Sequence, residues 1–400
     1  MKEKLSIQDL DLKNKKALIR VDFNVPLENK TITDDSRIRA SLPTIQYAID
    51  HGAAVILMSH LGRPKGVRDQ KYSLKPCAKR LSELLNHPVK MAKDCCGESV
   101  EKLVKDLHPG DILLLENLRF HLGEESPKKE PTFAVSLSSL GDVYINDAFG
   151  SAHRSHASIT ELPKFFPGKA VAGFLMKQEL AYLGSTLMNP SRPFYAILGG
   201  SKISTKFKVI EMLMQRADVL MIGGAMAFNF FKAQEISIGD SLVENDFIPV
   251  ARQLLDVSSQ SRCKILLPLD IVAAKEISGE SPRKVIKIKD GIPKGYKGLD
   301  IGPETIRFYQ HELSKATTIF WNGPMGIFET PPFDQGTTAI AQIIANLPVA
   351  TTIVGGGDTV AAVDQAGLSG KMSHLSTGGG AALEFIEFGT LPGIDALSDK

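Results

Sequence analysis

The chain has 400 residues, 43% of them hydrophobic and 23% charged, with a net charge of +2. That length exceeds one compact core and predicts two domains. Residues 1–188 carry 27 Lys and Arg against 23 Asp and Glu, and residues 189–400 carry 20 against 22, so neither half has the basic surplus of a general nucleic-acid binder.

In the first half, four apolar strand-like runs each lead into a polar or charged segment. Residues 17–23 run into Asn24, and a helical pattern over 38–50 stops before Gly52. Residues 55–59 run into His60-Leu61-Gly62-Arg63, followed by a helical pattern over 74–85. Residues 112–115 run into Glu116-Asn117-Leu118-Arg119, followed by a helical pattern over 133–140. Residues 143–146 run into Asp147 and on to His153-Arg154. A helical run over 174–183 is then broken by Asn189-Pro190-Ser191-Arg192-Pro193, which sets the domain boundary near 168–189.

The second half reads differently. Residues 195–198 run into Gly199-Gly200-Ser201-Lys202, and 219–222 into Gly223-Gly224. Residues 264–267 run into Pro268-Leu269-Asp270, and 317–321 into Asn322-Gly323-Pro324. Residues 352–354 run into Gly355-Gly356-Gly357-Asp358. Helical patterns lie at 205–216, 246–258, 304–313, 337–345 and 359–366. Short Val-, Ile- and Leu-rich strands alternating with helices predict parallel sheets covered on both faces. Ligands of such sheets bind outside the carboxyl ends of the strands. One half therefore offers an arginine-lined site and the other a glycine-lined one.

The four cysteines, Cys77, Cys95, Cys96 and Cys263, form no C-x-x-C pair. Adjacent Cys95 and Cys96 have poor spacing for a disulfide or a zinc site and read as structural, with oxidant sensing the lesser alternative. Free thiols and a start without an apolar core predict a cytoplasmic protein. The longest charge-free stretch, 335–357, reads as a helix and a strand, so no membrane association is expected.

Neither G-x-x-x-x-G-K-[ST] nor G-x-G-x-x-G occurs, which excludes a P-loop and weakens a dinucleotide dehydrogenase. A lone Gly-Gly after a strand is usually a tight turn. Five glycine or polar strand ends in succession point instead to phosphate held at helix N-termini. Gly355-Gly356-Gly357-Asp358-Thr359 adds a carboxylate suited to Mg²⁺ on phosphates. Lys202 and Lys206, four residues apart, would share one face of a helix. Asn322 and Glu329 bound a glycine- and proline-fixed loop and could reach phosphate and ribose hydroxyls. In the first half, Arg37, Arg63, Arg119 and Arg154 lie at or near strand ends and suit bidentate pairing with carboxylate or phosphate. Asp22 and Asn24 suit a hydroxyl. His153 and His156 lack a third ligand and do not read as a zinc site.

The segments Arg20-Val21-Asp22-Phe23-Asn24-Val25-Pro26, Ser59-His60-Leu61-Gly62-Arg63-Pro64, Glu116-Asn117-Leu118-Arg119-Phe120 and Asn146-Asp147-Ala148-Phe149-Gly150 closely resemble the phosphoglycerate kinase family. So do Asp300-Ile301-Gly302-Pro303, Trp321-Asn322-Gly323-Pro324, Gly355 to Thr359 and Ser376-Thr377-Gly378-Gly379-Gly380. The resemblance runs in family order over nearly the whole chain. It implies an α/β protein of two Rossmann-like parallel-sheet domains facing each other across a cleft. The implied domains are 1–170, a connector helix over 171–188, 189–382, and a tail over 383–400 returning to the first domain. It implies a monomer that binds 3-phosphoglycerate or 1,3-bisphosphoglycerate in the arginine pocket and Mg²⁺ with ATP or ADP in the glycine pocket. Asp22 and Asn24 would meet the hydroxyl and carboxylate end of the acid. His60, Arg63, Arg119 and Arg154 would hold its phosphate, with Arg37 nearest the transferring group. Lys202 and Lys206 would meet the nucleotide phosphates and the migrating phosphoryl. The Gly-Gly loop at Gly224, Gly355–Gly357 and Thr359 would line the nucleotide, with Asn322 at its phosphates, Glu329 at the ribose and Asp358 on Mg²⁺. Ser201, Ala225 and Ala382 depart from the commonest pattern, each small for small. A carboxylate nucleophile is ionised near neutral pH, with an ordinary pKa of about 3.5, so no general base is expected. Catalysis would rest on positioning and charge cancellation, with closure about the connector and 376–380.

Overall fold

The computed structural model of the protein describes residues 2–400. The chain groups into two compact units, Met1–Ala181 with Phe388–Lys400, and Tyr182–Glu387.

The first unit contains β1 (Lys16–Val21), a hairpin of β2 (Leu27–Glu28) and β3 (Thr31–Ile32), β4 (Ala54–Met58), β5 (Val89–Met91), β6 (Ile112–Leu114), β7 (Val143–Asp147) and β8 (Ala170–Ala172). Its sheet runs β5-β6-β4-β1-β7-β8 with every pair parallel. Strands β4, β6 and β7 are buried at every residue. Covered on both faces, they read as continuous apolar runs, which is why the four inner strands were legible. The edge strands β5 and β8 were not: each is three residues long, and β5 is only partly buried.

Residues 171 and 172, expected in the connector, instead close this sheet as part of β8. Helix Phe174–Glu179 begins after Gly173, and Leu180–Thr186 continues in wider π-helical turns. The chain's end also lies in this unit. Gly393 N donates to Ala152 O at 2.8 Å, and Ser398 N to Ala170 O at 2.8 Å.

The second unit contains β9 (Phe194–Leu198), β10 (Val219–Ile222), β11 (Lys264–Leu266), β12 (Asp270–Ala274), β13 (Arg283–Lys287), β14 (Lys297–Ile301), β15 (Thr318–Asn322), β16 (Thr351–Gly355) and β17 (His374–Leu375). The parallel sheet runs β11-β10-β9-β15-β16-β17. Its order reverses between β9 and β15, the position where open α/β sheets bind ligands. Strands β12–β14 form a separate antiparallel sheet that the alternation of strands and helices did not foretell. The helix expected from residue 205 begins at Phe207. Lys202 and Lys206 therefore lie in the turns before it and do not share a helix face. Among the described residues, no helix is long and apolar enough to cross a membrane.

At the carboxyl end of β7, Asp147 is fully buried. Its Oδ1 accepts from Leu175 N at 2.9 Å and Met176 N at 3.2 Å, capping the helix that follows. A Cβ on Gly173 would lie 2.2 Å from that oxygen, so the approach requires glycine. Asp147 Oδ2 has no hydrogen-bond partner. Burial raises this carboxyl from 3.8 to about 6, against the lowering pull of Thr44 and the two amides. The folded chain thus holds the proton more tightly than the unfolded chain. Stability is full below pH 4 and falls as pH rises through about 6. Urea titrations from pH 4 to 7 should show this loss, on the order of 3 kcal/mol, and Asp147→Asn should remove most of it. An identical pH slope in the variant would assign the loss elsewhere.

Candidate functional site

In the first unit, a buried network underlies the ends of β1 and β4. Arg20 and Glu124 are both completely buried. Arg20 Nε donates to Ser158 Oγ at 2.9 Å, and its Nη2 lies 3.9 Å from Glu124 Oε1. Glu124 accepts from Ser158 Oγ at 2.6 Å and Ser158 N at 2.9 Å. Arg20 Nη2 lies 3.1 Å from His60 Nδ1. Because a guanidinium only donates, Nδ1 must accept, and the ring proton sits on Nε2. Burial, then the charges of Arg20 and Arg119, hold His60 well below its usual range. Burial and the charges of Arg119, Arg20 and Arg154 likewise lower His156 to about 3. Both imidazoles are neutral at pH 7 and sit in a field of guanidinium groups.

Several sequence-predicted residues meet above this network. Arg37 comes from the first turn of helix Ser36–Asp50, and its Nη1 donates to Asp22 Oδ2 at 2.8 Å. Asn24 Oδ1 accepts from Gly62 N at 2.9 Å, and Arg119 Nη1 donates to Gly62 O at 2.8 Å. Arg119 rides on the single 3₁₀ turn Leu118–Phe120, capped by Asn117, whose side chain accepts from Arg119 N. Burial lowers its pKa, and the charges of Arg20 and Arg154 add to that. Arg154 is exposed, but its charge reaches Arg119 and His156. Arg63 stands exposed on the loop beside Gly62, and among the described residues no hydrogen bond or ion pair ties it to the others. The cluster carries a surplus of positive charge that a multivalent anion would neutralise.

In the second unit, the ends of β9, β10 and β15 interlock through backbone. Gly199 N donates to Asn322 O at 3.0 Å, Gly200 N to Pro324 O at 2.9 Å, and Gly224 N to Met325 O at 3.0 Å. Gly323 has φ +101°, and its Cβ would lie 2.2 Å from Gly199 O. Its N–H donates to Thr359 Oγ1 at 2.6 Å. The expectation that these glycine turns cradle phosphate is therefore narrowed: their amides are spent on one another, and their glycines allow close packing. Among the described residues, the amides of Gly357, Asp358 and Thr359 that open helix Gly357–Gln365 have no such partner, and the start of helix Gly380–Phe388 lies on the same basin.

These two helix starts line a basin of about 270 Å³ with Lys202, Lys206, Asn322 and Asp358. Lys206 Nζ donates to Gly199 O at 2.8 Å and Asn322 O at 3.0 Å. Enclosure lowers its pKa to about 8, partly offset by the charge of Asp358. Asn322 Nδ2 is buried without a partner, an unspent donor beside the basin. A neighbouring cavity of about 310 Å³ is lined by Gly224, Phe228, Leu242, Ile277, Leu299 and Ile327, among others, with exposed Glu329 on its lining. It suits a flat apolar ring.

Phe228, Leu242, Ile277 and Leu299 escaped sequence reasoning because they come from four separate segments. The half-exposed Leu242 and Ile277 were the available signal. The Arg20–Ser158–Glu124 network was also missed, since its members are far apart in sequence. Asp300, named above only within a family-like motif, is buried and accepts from Gly336 N at 2.7 Å, and burial pushes its carboxyl well above the usual range.

A family model described as phosphoglycerate kinase matches residues 7–388. The chain is 52% identical to the phosphoglycerate kinase of Moorella thermoacetica, over 99% of this chain and 100% of that one. It is also 52% identical to that of Chlamydia pneumoniae, over 99% of each. The phosphoglycerate kinase structure from Coxiella burnetii superposes with a TM-score of 0.88 at 40% identity, over 98% of both chains. The structure from Pyrococcus horikoshii gives 0.86 at 33% identity, again over 98% of both. On these likenesses, which run the length of both units and both clusters, the chain belongs to the phosphoglycerate kinase family.

Proposed function

We infer that this chain catalyses reversible phosphoryl transfer from 1,3-bisphosphoglycerate to ADP, giving 3-phosphoglycerate and ATP, as a glycolytic kinase. One observation carries the reading. A guanidinium-rich anion site and a lysine–helix-terminus basin with an apolar cavity beside it occur together in a chain matched to this family at residues 7–388.

The phosphoglycerate would occupy the first cluster. Asp22 and Asn24 would accept its hydroxyl, and Arg119, Arg154, Arg63 and the Nε2–H of His60 would donate to its phosphate. The nucleotide base would fill the apolar cavity, Glu329 would meet the ribose, and Gly224 would line the base pocket through its backbone. Its phosphates would take the amides of Gly357, Asp358 and Thr359, with Gly355 and Gly356 turning the chain into that helix. Lys202 and Asn322 Nδ2 would also donate to them. A single exposed carboxylate beside an anion basin fits Mg²⁺, whose other ligands would be phosphate oxygens and water. Asp358 would hold it, and its chemistry would be charge neutralisation on the phosphates. Arg37 and Lys206 would stabilise the three equatorial oxygens of the transferring group. The attacking carboxylate needs no base. The four free cysteines fit a reducing cytoplasm, and the family implies a monomer.

Purified protein with Mg-ATP and 3-phosphoglycerate, coupled to glyceraldehyde-3-phosphate dehydrogenase, should consume NADH only when every component is present. Arg37→Ala should lower kcat by roughly 100-fold or more with little change in KM. A raised KM at unchanged kcat would remove Arg37 from the transition state.

Lys206 should give ADP binding a pH signature. It is charged below about pH 8 and neutral above, and phosphate favours the charged form. Calorimetric affinity should be flat up to that pH and then weaken, roughly tenfold per pH unit at most. Lys206→Met should bind weakly with no such bend, and a bend retained in the variant would assign it elsewhere.

Two substrates held by separate units have to be brought together, which includes closure of the two units in the mechanism. Solution scattering should change when both ligands are added, and unchanged profiles would count against closure.

A further inference from the structure

The segment 93–97, just beyond β5, turns through successive bends. There it brings two adjacent thiols to one histidine. The Sγ atoms of Cys95 and Cys96 and a ring nitrogen of His121 all lie within 4.8 Å of one another. Cys96 Sγ is 4.0 Å from His121 Nε2. His121 Nε2 lies 2.7 Å from Asp94 Oδ1, which also accepts from Cys95 N at 2.7 Å. Arg68 Nη1 stands 3.5 Å from the other Asp94 oxygen. The His121 ring stacks on Phe133 with centroids 5.2 Å apart. Cys95 is buried and Cys96 is half-buried.

This geometry suits a reactive thiolate. His121 Nε2 carries the proton it donates to the Asp94 carboxylate, and the charged ring faces the Cys96 sulfur. An imidazolium held between a carboxylate and a sulfur stabilises the sulfur as thiolate. The Cys95 thiol, as donor, and His121 lower Cys96 to about 5, while burial keeps Cys95 protonated. Asp94, and Cys96 itself, raise His121 to about 10. The pair is therefore charged at neutral pH.

The cluster is joined to the anion site. His121 ends the 3₁₀ turn that carries Arg119, its N–H donating to Leu118 O at 3.1 Å. It also begins helix Leu122–Glu125, its carbonyl accepting from Glu124 N at 3.3 Å. Glu124 is the carboxylate of the buried Arg20–Ser158 network.

We propose that Cys96 is a peroxide-sensitive modification site whose oxidation acts, through His121, on the Arg119 segment and weakens binding of the phosphorylated acid. The thiolate attacks one oxygen of a hydroperoxide such as H₂O₂. An S–O bond forms and the O–O bond breaks. Sulfur loses two electrons, peroxide is reduced, and the departing hydroxide leaves as water after taking a proton from solvent. The product is a sulfenic acid at Cys96. Its formation removes the negative charge facing His121, and the added oxygen crowds a half-buried position.

The binding half of the proposal rests on the assigned phosphoglycerate site; the chemistry does not, so the two can fail separately. Alkylation of Cys96 by iodoacetamide, followed by mass spectrometry in EDTA, should show a pH midpoint near 5. The groups facing it are Cys95, Asp94 and His121, with Arg68 and Glu124 behind them. His121→Gln should move that midpoint up toward that of an ordinary thiol. Treatment with H₂O₂ and dimedone at pH 7 should label Cys96 ahead of Cys77, Cys95 and Cys263. Oxidised wild type should then show a several-fold higher KM for 3-phosphoglycerate at nearly unchanged kcat, and Cys96→Ser should be indifferent to peroxide. An ordinary alkylation midpoint, or no preferential label, would overturn the site. A labelled protein with unchanged KM would overturn the coupling.

Discussion

Parallel pairing is the constraint on which the rest of this structure depends. Every ladder in each six-stranded sheet runs one way, so all strands of a sheet deliver their carboxyl ends to the same edge. Residues separated by more than a hundred positions thereby become neighbours without any loop having to travel. Asp22, His60, Arg119 and Arg154 follow four different strands of one sheet, and Gly199, Gly224, Gly323 and Gly357 follow four of the other. The apolar interior of each sheet supplies the burial that makes this arrangement stable. The polar groups at the edge can then be chosen for chemistry.

On the proposed reading, the two edges hold an anion in opposite ways. The first gathers side-chain charge. Guanidinium groups brought this close repel one another, and the buried Arg20–Ser158–Glu124 network offsets part of that with a carboxylate whose two oxygens each accept a hydrogen bond from Ser158. The histidines beside it, His60 and His156, stay neutral. The second edge relies on backbone. Glycines at 199, 200, 224 and 323 let three turns touch, and their mutual hydrogen bonds fix the frame. Amides at the start of helix Gly357–Gln365 remain unspent among the described residues, with Lys206 drawn inward beside them. A preorganised frame of this kind supplies dipoles without reorganisation when charge moves.

The same rigidity gives the Cys96 cluster its reach. His121 is shared by backbone between the turn bearing Arg119 and the helix bearing Glu124, so it cannot shift without disturbing one of them. Packed segments of this kind pass on small displacements because there is little free volume to absorb them.

The inner strands, the long helices and the motifs that carry the family likeness were all legible in the sequence, because strands buried on both faces leave unbroken apolar runs and turns need particular residues. Helix Gly357–Gln365 and its opening glycines could be placed to within two residues. The edge strands β5 and β8 and the inserted antiparallel sheet could not, since short or half-exposed segments carry little periodicity. The sequence by itself determined which residue types stand at each strand end, and so the anion-attracting character of both clusters. Tertiary structure alone decided which of them meet. It joined Arg20 to Glu124 across a hundred residues, spent the glycine amides on one another, left Arg63 apart on its loop, and turned two thiols with unpromising spacing toward one histidine. Spacing along a chain reports neighbours only within a helix or strand, whereas these contacts are set by where separate elements pack.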